Sequence, residues 1–102
     1  MPSTHRVIVM SEAFSDLEKI LDFIAEESPQ NAVQMTDRLW KAIQSLADFP
    51  HRYPASRRRL KPSNIVRTMP VPPFIVCYRV DDERMVVRVA SVRHGKRRHP
   101  RI

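Results

Sequence analysis

Glycine is almost missing from this sequence: Gly95 is the single one in 102 residues. Walker-type and Rossmann-type loops need several glycines so that backbone amides can close on a phosphate, and both are excluded. Cysteine is equally scarce. Lone Cys77 rules out an intrachain disulfide, and its place in an apolar run marks it as a small buried hydrophobe rather than a reactive thiol. No stretch approaches the roughly 20 apolar residues of a membrane span. The opening MPSTHR lacks the apolar core of a secretion signal, so a reducing cytoplasm is the expected compartment. Aromatics make up only 7% of the chain, too few for a stacking platform, and zinc-finger, helix-turn-helix and RRM signatures are absent. Acidic residues nearly vanish from the second half.

That last scarcity organises the chain. Residues 1–50 carry four Lys/Arg against eight Asp/Glu, a balance of −4, and residues 51–102 carry fourteen against three, a balance of +11. The basic half also reads as β-structure and ends in HGKRRHPRI. An Arg-rich sheet beside an acidic helical layer fits a small protein that presents one face to a polyanion or an acidic partner. The length suits one domain, residues 1–102, without internal repeats and with a basic C-terminal tail over residues 96–102.

Residues 5–10 (HRVIVM) form a short β-rich run. Ser11 is expected to cap a helix with Phe14, Leu17, Ile20, Leu21 and Ile24 on its buried face. Ser28-Pro29 ends this helix and begins another, because Ser caps and Pro suits the first helical position. Ala32, Met35, Leu39, Ile43 and Leu46 form the second stripe, with Trp40 at its margin, and Phe49-Pro50 stops it. So short a connection makes an antiparallel helix hairpin. Residues 51–64 read as a loop with at most one edge strand. Residues 65–69 are a strand ended by Pro70, and Pro72-Pro73 breaks the chain again. Residues 74–80 (FIVCYRV) are the strongest strand, apolar enough to be central. A turn at residues 81–84 leads into residues 85–92, with Val87, Val89 and Ser91 assigned to one face. The expected class is α+β, in the order β-α-α-β-β-β, with the helix hairpin packed on a small, mostly antiparallel sheet whose Arg-bearing face stays open.

The ordered set of local features resembles the RelE/ParE superfamily of toxins from bacterial type II toxin–antitoxin modules. The resemblance runs through SEAFSDLEKILDFIAEESPQNA, RLWKAIQSLADFP, Arg67 and PFIVCYRVDDERMVVRVASVRHGKRR, and so covers nearly the whole chain. The helix hairpin and the ending Val92-x-His94-Gly95-x-Arg97 are similar to the ParE branch. The resemblance implies a toxin held by a cognate antitoxin in a hetero-oligomer, with no membrane partner. It also implies a target, either DNA gyrase, for ParE-like members, or mRNA in the ribosomal A site, for RelE-like members. A plain nucleic-acid-binding module is a third reading of the basic half.

Metal-free RNA cleavage needs a base for the 2′-OH, an acid for the leaving oxygen and cations for the phosphorane charge. By the resemblance, Arg67 and Arg97 would be the cations. No tyrosine follows Arg97, so His94 or His99 would have to serve as acid or base. That departure favours gyrase inhibition over cleavage. Arg57, Arg58, Arg59, Lys61, Arg93, Lys96, Arg98 and Arg101 are the expected contacts for target or antitoxin. The helix acids share no spacing with a histidine, so neither a metal nor another cofactor is expected.

Overall fold

The computed structural model describes residues 4–55 and 65–95. Its elements are β1 (Arg6–Val9), α1 (Ser11–Glu27), α2 (Pro29–Ser45), β2 (Val66–Val71), β3 (Phe74–Asp81) and β4 (Val86–His94). This is the expected β-α-α-β-β-β order. The four strands form one sheet in the order β1-β4-β3-β2, with β1 parallel to β4 and the other two pairings antiparallel. A parallel pair requires a crossover. Here the helix hairpin and the β2–β3 ribbon together carry the chain from β1 to the strand beside it.

Both helices lie on one face of the sheet. Ala13 and Leu17 of α1 and Leu39 and Ile43 of α2, with Leu46 beyond it, pack on Met69, Val71, Phe74, Val76, Tyr78, Val80, Val87, Val89 and Val92. Trp40 packs half-buried at the margin of this core. Ser28 makes the helix turn as expected: its Oγ accepts from the Asn31 amide at 3.2 Å, and Pro29 opens α2.

Four local expectations are corrected. Ser11 is the first helical residue rather than the cap. The first helical bond runs from the Phe14 amide to the Met10 carbonyl at 2.9 Å, and Met10 caps without a side-chain bond. Phe14 is half-exposed, because the inward row is Ala13-Leu17-Ile20-Ile24 and Phe14 stands one position round the helix. Pro70 lies inside β2 rather than ending it. Its lost N–H costs no ladder bond, since β2 is an edge strand and Thr68, two residues earlier, turns its own N–H outward to the Pro54 carbonyl at 3.3 Å. Finally, a bulge shifts the β3–β4 register from Cys77↔Ser91 to Tyr78↔Val89. The extra residue reverses the alternation, so Val92 and not Ser91 joins Val87 and Val89 in the core.

Gly95 follows β4 where the chain passes the β2–β3 turn. Its N–H donates to the Pro73 carbonyl at 2.7 Å, and an added Cβ would sit 3.1 Å from that oxygen. A side chain here would be tight and would oblige the Pro73 carbonyl to give way slightly.

β1 pairs only with Val86–Val89 of β4, which leaves the β1 side of β4 unpaired further along. Asp16 of α1 fills that gap, its carboxylate accepting from the Val92 amide at 2.9 Å. Asp16→Ala strands this part-buried N–H and is expected to cost about 1–3 kcal/mol. Asp16→Asn keeps an acceptor oxygen and should lose clearly less. Urea midpoints of the two variants measure the difference.

Candidate functional site

The strand pleat sorts the polar residues. On the face turned away from the helices, register places Arg6 beside Val86, Ile8 beside Arg88, Arg88 beside Arg79, Ser91 beside Cys77 and Arg93 beside Ile75. Four arginines from three strands therefore share one face. Arg6 and Arg93 are exposed, and Arg79 and Arg88 are partly buried. Cys77 lies on this face at 7% exposure, a buried free thiol flanked by Ile75 and Arg79 along β3. Like charges directly opposite on a sheet oppose folding. Asp81 relieves part of this: its carboxylate lies 3.6 Å from Arg88 and 3.1 Å from Arg84. The backbone N–H of Arg84 and these two guanidinium groups hold the buried Asp81 carboxyl below the ordinary carboxylate range, against the opposing effect of burial. Among the described residues no acid pairs with Arg6, Arg79 or Arg93.

The sequence singled out other positions. Arg93 is on the basic face as an exposed residue. Arg67 is not. Its register partner is Tyr78, on the helix side of the sheet, and its guanidinium donates to the Tyr53 carbonyl at 2.7 Å. The Tyr78 hydroxyl donates to the Pro50 carbonyl at 2.8 Å, so the two side chains together hold the loop after α2. Burial pushes the Tyr78 pKa up, partly countered by the nearby Arg67 charge and a backbone hydrogen bond from Tyr53. His94 ends β4 with its ring edge-to-face on Phe74 at 5.4 Å. Arg67 and His94 pair with residues four apart on β3, so they stand about 13 Å apart along the strands and on opposite sides of β3. The fold does not bring them together. Arg57, Arg58, Arg59, Lys61, Lys96, Arg97, Arg98, Arg101 and His99 lie outside the described residues.

Two features escaped the sequence reading. Arg6, Arg79 and Arg88 were visible as arginines in strands, but only the register shows that they share a face with Arg93. The second is a clasp at the far end of the sheet. His5 and His51 each place Nε2 3.0 Å from a different oxygen of Asp82, with the two rings 6.1 Å apart. It joins the start of β1, the loop after α2 and the β3–β4 turn. No sequence signal marks it, because its members are distant in the chain. Among the described residues no group of three or more His, Cys, Asp or Glu has the arrangement of a metal site. No described helix is long and apolar enough to cross a membrane.

Solved structures share this architecture. A chain of the chromosomal ParDE TA system from P. aeruginosa superposes with a TM-score of 0.70 at 19% identity, over 91% of this chain and 98% of that one. A chain of the toxin–antitoxin complex RelBE2 from Mycobacterium tuberculosis gives 0.62 at 23% identity, over 89% and 98%. The fold is thus that of the RelE/ParE toxins. In sequence, Toxin RelE2 of Caulobacter vibrioides is 34% identical over 92 residues, 90% of this chain and 97% of that protein. The model of the ParE toxin of type II toxin–antitoxin systems, parDE, matches residues 7–99, and the chain belongs to this family.

The clasp has a pH signature. Burial alone would raise the Asp82 pKa, but the hydrogen bonds from His5 and His51 outweigh it and hold the carboxyl below its ordinary range. A depressed carboxylate pKa adds stability that is present above the unfolded value near about pH 4 and is lost as pH falls through the folded value. Asp82→Asn should therefore melt below wild type at about pH 7, and the gap should close toward about pH 2. Thermal melts across that range measure it.

Proposed function

We propose that this ParE-family toxin inhibits DNA gyrase in the cytoplasm and is neutralised by a cognate antitoxin in a hetero-oligomer. An acidic antitoxin segment would lie on the arginine face of the sheet. The observation that carries the reading is the one-sided placement of Arg6, Arg79, Arg88 and Arg93, three of them without an acidic partner among the described residues. Arg57, Arg58, Arg59, Lys61, Lys96, Arg98 and Arg101 would extend the same charge toward target or antitoxin. Such a surface recognises carboxylates by charge and by the guanidinium fork.

Arg67 and His94 support binding over cleavage. Each already has a structural engagement, and their strand positions lie about 13 Å apart along the sheet, which favours binding over a shared site on one phosphodiester. The likeness to a protein named Toxin RelE2 favours a second reading, a ribosome-dependent mRNA endonuclease that uses Arg67, His94 and Arg97.

Purified gyrase distinguishes the two. Under the preferred reading, supercoiling falls as the toxin is added, translating ribosomes yield no A-site cleavage, and the antitoxin restores supercoiling. A-site cleavage that disappears in Arg67→Ala would replace this reading with the second. Arg79→Glu combined with Arg93→Glu should weaken antitoxin binding by about tenfold or more, chiefly through slower association at low salt. Surface plasmon resonance at two ionic strengths reads both effects.

A further inference from the structure

Hydrogen bonds from distant parts of the chain converge on the loop after α2. The His5 amide donates to the Ala47 carbonyl at 2.9 Å, and the Thr68 amide to the Pro54 carbonyl at 3.3 Å. The Tyr78 hydroxyl and the Arg67 guanidinium hold the carbonyls of Pro50 and Tyr53, and His51 joins Asp82. Pro50 is buried beneath. So many anchors leave the loop little freedom. Yet Phe49, carried on this fixed loop, is 60% exposed and stands outside the core. Its ring has company. The Arg52 guanidinium lies 5.6 Å from the centre of the Phe49 ring and 5.5 Å from that of Tyr53, within the range of cation–π attraction. Aromatics make up only 7% of the chain, and two of them meet on this one arginine. Among the described residues no acid pairs with Arg52. An open hollow of about 620 Å³ beside them is lined by Asp48, Phe49, Pro50, His51 and Arg52.

A single exposed apolar side chain is ordinary. A fixed aromatic with a fixed, unpaired guanidinium beside it has the composition of an interface anchor, since aromatics and arginine concentrate where interfaces hold most tightly. A loop that is already ordered also loses little entropy on binding. The surroundings select the class of partner. Asp48 lines the hollow, and Asp82 stands behind His51. A nucleic acid carries a phosphate at every nucleotide and would set its charges against these carboxylates. A protein can offer one carboxylate to Arg52 and an apolar pocket to Phe49. A second copy related by a twofold axis would set the arginine-bearing patch against itself. The loop is held from the helix side of the sheet by Arg67 and Tyr78, so it is separate from the arginine face. We propose that Phe49 and Arg52 form the anchor through which the toxin contacts its target protein. Phe49 enters an apolar pocket of the target, and Arg52 pairs with a carboxylate at the rim of that pocket. This rests on the reading above, in which the target is gyrase and the antitoxin's acidic segment takes the arginine face.

Phe49→Ala and Arg52→Glu change exposed positions, so thermal melts and affinity for the cognate antitoxin should match wild type. In supercoiling assays with purified gyrase, each variant should need about tenfold or more protein for half-inhibition. Arg52→Lys keeps the charge but not the planar fork, and should fall between wild type and Arg52→Glu. Full inhibition by Phe49→Ala would overturn the anchor and leave gyrase as the target. No inhibition by the wild type would overturn the gyrase reading, and the anchor with it. An equal loss of antitoxin affinity in these variants would assign the loop to the antitoxin. A single-stranded DNA oligonucleotide held by wild type and released by Phe49→Ala would assign it to nucleic acid. Either result overturns the proposal, as would a dimer of the free toxin that Phe49→Ala dissociates.

Discussion

β4 sits inside the sheet with a parallel neighbour on one side and an antiparallel one on the other, and the rest of the molecule is arranged to make that possible. The parallel neighbour β1 is only four residues long and cannot satisfy β4 along its length. Asp16 reaches from α1 to take the Val92 amide, so a helix side chain finishes what the short strand leaves undone. That bond ties α1 to the strand it packs on. It also sets the hairpin over the one face of the sheet where Val87, Val89 and Val92 are buried. An unpaired amide in a part-buried strand carries a desolvation penalty that packing alone does not remove.

With one face committed to the helices, the other inherits the polar half of each strand. The bulge at the β3–β4 pairing matters here as much as in the core. It lets Val92 turn inward while Arg93 stays with Arg79 and Arg88 on the far side. Asp81 then does two jobs, closing the tight turn through the Arg84 amide and neutralising part of the arginine cluster. Among the described residues, Arg6, Arg79 and Arg93 keep no acidic partner of their own.

The loop after α2 is held from two directions. Tyr78 and Arg67 take its carbonyls from the sheet side, and Asp82 takes His51 from the β3–β4 turn. This explains why Arg67, which the family resemblance marked as a candidate for chemistry, reads in the fold as a structural clamp. Its guanidinium points at a carbonyl rather than into open space. Meanwhile the hairpin keeps a largely apolar groove between its helices, lined by Leu21, Ala25, Ala32, Val33 and Trp40.

Much of this was legible in the sequence, because helix and strand periodicity are local. The 3.6-residue stripe of α2, the cap at Ser28, the apolar run of β3 and the order of elements follow from neighbours a few residues apart. The split in charge was likewise visible. What local pattern cannot carry is phase relative to a distant partner. One extra residue at the bulge moved Ser91 out of the core, and a turn of one position on α1 put Phe14 in solvent. Membership of a face is decided by cross-strand register, so Arg6, Arg79, Arg88 and Arg93 became one surface only once β1, β3 and β4 were paired. The clasp of His5, His51 and Asp82 and the separation of Arg67 from His94 have the same origin. Amino-acid order determined which segments are helix, strand and charge. Tertiary pairing decided which charges meet, since side chains distant in sequence converge only through the hydrogen-bond ladder that aligns their strands.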